Sequence, residues 1–244
     1  MTKQLPTTRI AMWSGPRNIS TAMMRSWENR KDCSVVDEPF YAYYLQQTQS
    51  PHPMFDDILK SQDSDYNVVA KQMSEGECDT PLQYQKHMTH HMLAGCDMSW
   101  TANLRHCFLI RDPAYIVNSY TKSRGECSAD DIGIKRQYEL YQEISAITQQ
   151  AIPVVDSLSV LQNPIQQMQK ICTALDIDFD LLMLNWPKGP RASDGVWASH
   201  WYKSVEKSTG FAFAETPDIH LSKQQQEVVE EVTPYYRALL ALAI

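Results

Sequence analysis

The chain has 244 residues, of which 43% are hydrophobic, and its formal net charge is −7 at pH 7. A chain of this size and apolar content can bury one α/β core, so we expect a single domain over residues 1–244. The acidic balance argues against a nucleic-acid partner, and the sequence holds no apolar run long enough for a membrane span.

The N-terminus and the cysteines indicate the compartment. Residues 1–6 contain no apolar signal region, and the six cysteines are scattered without the pair spacing of metal ligands. We therefore expect reduced thiols in a cytoplasmic protein.

The first predicted elements are a strand, a tight loop and a helix. Residues 10–13 form a short apolar run typical of a buried strand. Gly15 and Pro16 then interrupt it, and a helix can begin at Ser20 or Thr21. Because free N–H groups and the positive end of the helix dipole point into such a loop, it forms a site for a phosphate or a sulfate. The polar side chains available to this anion are Arg17, Asn18, Ser20 and Thr21.

This loop differs from that of nucleoside triphosphatases, in which a Gly-Lys-Ser/Thr sequence opens the helix. Here Ile19 precedes Ser20, and the nearest cation lies earlier, at Arg17. The loop therefore suits an anion but poorly suits hydrolysis of a magnesium triphosphate.

Two carboxylates follow the second predicted strand, residues 33–36. Ligands of open α/β sheets bind beyond the carboxyl ends of strands, so Asp37 and Glu38 should lie beside the anion loop. Pro39 favours an extended Glu38, and neighbouring extended residues point to opposite sides. We expect one carboxylate to face the site and the other to cap a turn or contact solvent. A solvated turn without a catalytic function is the alternative.

The third predicted strand, residues 82–85, leads into a cluster of basic side chains that contains Lys86, His87, His90 and His91. His87 and His91 could share a helix face, but no acidic residue lies between them as in the metalloprotease motif, so we expect no metal site. Solvated histidines are one interpretation. A cation and a proton carrier at the end of a strand are the other.

The fourth strand, Arg105–Ile110, is the clearest in the sequence, and Pro113 suits the first turn of the helix that follows it. Ser119 lies eight residues after Arg111, which is about two helical turns along.

Further helices are indicated by their first residues. Asp65 or Ser64 can cap a helix, Asn163 precedes a proline at a first helical position, and Ser222 opens a capping box. We expect Pro234 to kink or end this last helix. Between them, an ordered loop near residue 190 carries two cations, Lys188 and Arg191.

These motifs and their order resemble the sulfotransferase superfamily from residue 9 to about residue 213. Its first motif, Pro-Lys/Arg-Ser-Gly-Thr-Thr, is similar to residues 16–21, and its second, Arg-x-Pro with a later Ser, is similar to Arg111, Pro113 and Ser119. A third, Arg-Lys-Gly followed by Trp, is loosely similar to Lys188 and Trp197. Residues 13–21, 36–41 and 186–201 also resemble an uncharacterised sulfotransferase-like branch.

The resemblance implies a central, mostly parallel sheet flanked by helices, in a variant of the P-loop nucleotide-binding fold. It implies 3′-phosphoadenosine 5′-phosphosulfate (PAPS) as the sulfate donor, 3′,5′-bisphosphoadenosine (PAP) as the product, and no metal. The 5′-phosphosulfate would be held by Arg17, Asn18, Ser20 and Thr21. The 3′-phosphate would be held by Arg111 and Ser119, assisted by Lys188 or Arg191.

The implied reaction is in-line transfer of a sulfuryl group to a hydroxyl of a small-molecule acceptor, in which positioning and charge stabilisation dominate. Lys86 would stabilise the bridging oxygen. For the base we favour Glu38 over His87, because several branches of the superfamily place a glutamate after the second strand.

Two positions differ from the family pattern. Ile19 replaces the loop glycine, and Lys86 is adjacent to His87, whereas cytosolic members carry Lys-x-His. The alternatives are therefore a P-loop kinase or hydrolase, against which the missing loop lysine argues, and a nucleotide-binding protein without transfer activity. His90 also stays open as a base. The acceptor and the oligomeric state are not specified by the sequence.

Overall fold

A parallel sheet of five strands organises the chain. The computed structural model describes residues 7–213 and 219–244; residues 1–6, on which the expectation about a signal region rests, lie outside them. The strands are β1 (Thr8–Ser14), β2 (Cys33–Asp37), β3 (Leu82–Met88), β4 (Arg105–Ile110) and β5 (Val154–Asp156). Their order is β2-β3-β1-β4-β5, and each pairing in that order is parallel. The predicted α/β fold with a mostly parallel sheet is confirmed.

Helices cover the sheet and connect its strands. They are α1 (Ser20–Glu28), α2 (Tyr41–Thr48), α3 (Phe55–Ser61), α4 (Tyr66–Glu75), α5 (Pro113–Arg124), α6 (Ala129–Ile132), α7 (Ile134–Thr148), α8 (Ser157–Gln162), α9 (Pro164–Ala174), α10 (Ala198–Trp201) and α11 (Lys223–Leu240). Within residues 7–213 and 219–244, no helix is both long and apolar enough to cross a bilayer.

Side-chain caps begin several of these helices where the sequence predicts them. Asp65 caps α4, Asn163 caps α9 and Ser222 forms the capping box of α11. The prediction for Pro234 is corrected in one respect, since the proline does not end α11. Buried side chains before and after the proline, Val232 and Leu239, hold the helix against the rest of the protein.

The core has two apolar layers, one on each face of the sheet. Met12 of β1 packs in the layer that contains Trp27 of α1, whereas its neighbour Trp13 packs in the layer that contains Leu140 of α7. Because β1 lies at the centre of a parallel sheet and is covered on both faces, it has a continuous apolar sequence rather than an alternating one.

The sheet register brings the carboxyl ends of four strands together. Ser14 at the end of β1 is paired with Met88 of β3 and with Leu109 of β4, and Asp37 at the end of β2 is paired with Lys86. The segments that follow β1, β2, β3 and β4 therefore meet at one edge, where open α/β sheets bind their ligands.

Candidate active site

A cavity of about 410 Å³ opens at this edge of the sheet. Eight of the residues predicted from the sequence line it: Arg17, Asn18, Ser20, Thr21, Glu38, Lys86, Arg111 and Ser119. Its wall also contains side chains to which the sequence analysis gave no function, namely Tyr120, Arg124, Trp201 and Tyr202. The described residues contain no group of three or more His, Cys, Asp or Glu side chains arranged to hold a metal ion.

The loop between β1 and α1 is fixed by its own polar residues. Arg17 has a φ of 54°, and its carbonyl accepts a hydrogen bond from Arg111 Nη1 at 2.5 Å. Asn18 Oδ1 accepts from the Ile19 N–H at 2.8 Å, and its Nδ2 donates to the carbonyl of Leu109 at 3.0 Å. Both polar atoms of the Asn18 side chain therefore bond to the protein, so this side chain positions the loop.

The first turn of α1 points into the cavity without a side-chain cap. Ile19 occupies the N-cap position and packs against the apolar core, and Ser20 and Thr21 line the cavity. An uncapped N-terminus leaves backbone N–H groups and the positive end of the helix dipole available to an anion. Ile19 is compatible with this geometry because its side chain turns towards the core.

Three guanidinium groups line the cavity, those of Arg17, Arg111 and Arg124. Across residues 7–213 and 219–244, no carboxylate lies within ion-pair distance of any of them. Burial and the charge of Arg124 lower the pKa of Arg17, and burial and the charge of Arg17 lower that of Arg111. Arginine stays protonated, so these guanidinium groups repel one another. A bound anion would relieve that repulsion.

The structure joins two groups that the sequence analysis assigned to opposite ends of a ligand. Arg17 Nε donates to Ser119 Oγ at 3.0 Å, and Arg111 bonds to the backbone of Arg17. The side chain of Arg17 therefore lies with the residues expected at the 3′-phosphate, because its left-handed backbone turns it towards α5.

The structure does not bring Lys188 or Arg191 into the cavity. Lys188 is exposed. Arg191 Nε lies 3.6 Å from Glu28 Oε2, and this carboxylate compensates the charge of Arg191. Arg124 at the end of α5 lines the cavity as a third cation.

A buried network surrounds Lys86 on the other side of the cavity. Lys86 Nζ lies 2.9 Å from Asp37 Oδ1, 2.7 Å from Glu38 Oε1 and 2.5 Å from the hydroxyl of Tyr202. Burial opposes the charge of Lys86, but Asp37 and Glu38 outweigh it and raise the pKa of Lys86. Burial also raises the pKa of Glu38, although the charge of Lys86 acts against this. Glu38 is therefore a stronger proton acceptor than an exposed carboxylate.

Two expectations about the acidic pair were wrong. Glu38 is not extended, because its φ is 43°, and Asp37 is neither a cap nor solvated, since it is 5% exposed. The Glu38 N–H donates to the Lys86 carbonyl at 2.9 Å, and the left-handed turn at this residue brings both carboxylates to the same ammonium group.

His87 lies outside the cavity, on the opposite face of β3 from Lys86. Its ring stacks on Trp13 with 4.5 Å between centroids, and its Nε2 is 3.0 Å from Gln85 Oε1. Burial lowers its pKa to about 3. His90 does line the cavity, and burial with the charge of Arg124 lowers its pKa to about 4.

A distant loop completes the network around Lys86. Tyr202 donates to Asp37 Oδ2 at 2.7 Å, and Trp197 Nε1 lies 3.1 Å from the Tyr202 oxygen. The Gly195 N–H also donates to Asp37 Oδ2, at 3.1 Å. The only sequence signal for this arrangement was the density of Trp, Gly and Pro in the loop, which indicated order but not its partner.

Comparison with known proteins agrees with this geometry. The family model described as a sulfotransferase domain matches residues 8–243. The chain belongs to the sulfotransferase family, and the resemblance stated from its motifs is confirmed.

Curated relatives cover a longer sequence. The chain is 32% identical over 232 residues to branched-chain-amino-acid aminotransferase-like protein 1 of Arabidopsis thaliana, and 30% identical to its protein 2. Each match covers 94% of this chain but 41% of the relative, so the chain spans about two fifths of the relatives' length.

Solved structures share the fold at low sequence identity. The sulfotransferase domain from the curacin biosynthetic pathway aligns with a TM-score of 0.55 and 14% identity, over 95% of this chain and 99% of that one. Mouse sulfotransferase SULT7A1, solved in complex with PAP, aligns with a TM-score of 0.54 and 11% identity, over 99% and 91%. These likenesses establish the fold.

Proposed function

We propose that this chain transfers a sulfuryl group from PAPS to a hydroxyl of a small-molecule acceptor. One observation carries the proposal: a single cavity contains both an anion site and a buried Lys86–Glu38 pair. No described carboxylate pairs with the guanidinium groups of the anion site. Membership of the sulfotransferase family supports a nucleotide sulfate donor. The PAP in the mouse structure supports this particular nucleotide.

The residues at the anion site fit such a donor. Two phosphate-bearing ends need two sets of cationic or N–H donors, and the cavity offers Arg17, Arg111 and Ser119 as well as the first turn of α1. When bound, the donor supplies an activated sulfuryl group and a bisphosphate leaving group.

The acid–lysine network would handle the proton and the charge. The acceptor oxygen bonds to sulfur while the bond from sulfur to the 5′-phosphate oxygen breaks, and the electron pair of that bond leaves with PAP. Glu38 takes the proton of the acceptor hydroxyl and later passes it to solvent. Lys86, held protonated by Asp37, stabilises the negative charge that develops beside it.

Thermal unfolding with added nucleotides tests the donor. A ligand that binds only the native protein raises its melting temperature, so PAP without Mg²⁺ should raise it more than ATP does. Transfer of radiolabelled sulfate from PAPS across an acceptor panel then tests the chemistry. Greater stabilisation by ATP with Mg²⁺ would favour a kinase or hydrolase, whereas PAP binding without transfer would favour a nucleotide-binding protein.

A further inference from the structure

Arg124 is a cation of the cavity wall that lies near two aromatic rings. It occupies the last turn of α5, and its guanidinium carbon lies 4.7 Å from the ring centroid of Trp201 and 5.4 Å from that of Tyr120. Aromatic faces hold a guanidinium group in place without neutralising its charge. Arg124 is exposed as well as lining the cavity, and no described carboxylate pairs with its charge.

Arg124 lies close enough to Arg17 of the anion loop to lower its pKa, but its other neighbours are aromatic. Tyr41 and Trp201 provide aromatic surface in the cavity wall, and His90, which also lines the cavity, has an unpaired, buried Nδ1. Burial and the positive charge of Arg124 lower the pKa of His90 to about 4, so its ring is neutral at pH 7. This end of the cavity also contains Glu38, to which we assign the acceptor's proton.

We propose that the acceptor is a hydroxy acid: an alcohol or phenol with an apolar body and a second, carboxylate group. The body lies against Tyr41 and Trp201, the hydroxyl reaches Glu38, and the carboxylate pairs with Arg124. A cationic acceptor is disfavoured, because it would meet the charge of Arg124. This inference rests on the proposed function, since it assigns this end of the cavity to the acceptor.

Matched pairs of compounds test the inference. Hydroxyphenyl and hydroxyalkyl carboxylates, each with its primary amide, are titrated by calorimetry into the PAP-bound protein and then assayed for sulfate transfer. A charge-assisted contact predicts that the wild type binds the best acid about tenfold more tightly than its amide. Arg124→Gln should abolish that preference and should reduce PAP affinity less than Arg111→Ala does. Lys122→Gln, at an exposed position of the same helix, is the control and should keep the preference.

Two results would overturn the inference. One is equal affinity for each acid and its amide across the panel. A panel in which neither the acids nor the amides bind counts as the same result. The other is a loss of PAP affinity in Arg124→Gln as large as that in Arg111→Ala, which would assign Arg124 to the donor. Failure of the proposed function has a different signature, in which acids bind through Arg124 but no compound receives sulfate.

Discussion

Lys86 and His87 are neighbours in β3, and the alternation of side chains along a strand separates their environments. Lys86 points towards the cavity and binds two carboxylates, whereas His87 packs between aromatic rings on the other face. The sequence difference from the Lys-x-His arrangement of cytosolic sulfotransferases therefore has a structural consequence. In this chain the adjacent histidine faces away from the cavity that Lys86 lines, which supports our proposal of Glu38 as the base.

Replacement of Glu38 by Gln tests this assignment. The variant keeps the size of the side chain and leaves Lys86 paired with Asp37, but it removes the proton acceptor. We expect turnover to fall by roughly 10²–10⁴-fold, while PAP affinity changes by no more than a few-fold. Steady-state kinetics and calorimetry measure the two effects. His87→Asn is the matched comparison and should reduce turnover less; near-normal turnover in Glu38→Gln with loss in His87→Asn would reverse the assignment.

Arg111→Ala tests the anion site. Arg111 would contact the 3′-phosphate, which PAP has and 5′-AMP lacks, so the variant should weaken PAP binding by about ten- to a hundredfold and 5′-AMP binding much less. Calorimetry with both nucleotides measures the difference. Arg111 also bonds to the Arg17 carbonyl, so equal losses for both ligands would mean that it acts by holding the loop. Lys122→Ala removes an exposed charge from α5, the helix that follows Arg111, and should alter neither affinity.

At the scale of elements, local signals in the sequence predicted the structure well where they were strong. β4 has its predicted bounds, and α1 begins at Ser20, one of the two predicted positions. β3 extends to Met88, beyond its predicted end, although it carries Gln85 and His87. These polar side chains can be buried because they hydrogen-bond to each other. Their polarity interrupts the apolar pattern that normally identifies a strand in a sequence.

The candidate site was predictable only in part, because its contacts join distant segments. The anion loop follows the end of β1, and Arg111 follows the end of β4. The place of both at the site could therefore be inferred from topology. Tyr202 lies 165 residues from Asp37, and no local pattern indicates that they bond. Arg124 has the sequence position of an ordinary cation in the last turn of a helix, so its place in the cavity could not be distinguished from a capping function.

The loop that contains Gly195 contacts the network around Lys86. A substitution in this loop should therefore disturb both the stability of the fold and the turnover. A Cβ atom at Gly195 would overlap the ring of Trp197, which is 1% exposed and hydrogen-bonded to Tyr202. We expect Gly195→Ala to destabilise the fold by about 1–3 kcal/mol and to reduce turnover, because the shift reaches the Lys86 network. Urea unfolding and kinetics measure the two effects. Ala192→Ser, at an exposed position of the loop, should leave both unchanged; the same result for Gly195→Ala would contradict a supporting function.

For the whole molecule, buried histidines predict how stability depends on pH. Burial lowers the pKa of His87 to about 3 and that of His52, His90 and His106 to about 4, and it lowers the pKa of His91 well below the ordinary 6.5. The unfolded chain binds protons at these groups near pH 6.5, whereas the native protein does not. Their contribution to stability is therefore present above pH 6.5 and is lost as the pH falls towards 4. We expect the free energy of unfolding to decrease between pH 7 and pH 5 in urea titrations.

His106 allows this linkage to be tested at one residue far from the acceptor. Its Nδ1 accepts from Trp13 Nε1 at 3.1 Å and its Nε2 lies 2.9 Å from the Thr101 carbonyl, so the neutral ring is bonded on both sides. A proton on Nδ1 would break the bond to Trp13. Each such histidine steepens the dependence by about 1.4 kcal/mol per pH unit. His106→Gln should therefore reduce the slope of the unfolding free energy against pH by about 1.4 kcal/mol per pH unit, which corresponds to one proton. This holds even though the variant is less stable. An unchanged slope in His106→Gln would refute the linkage.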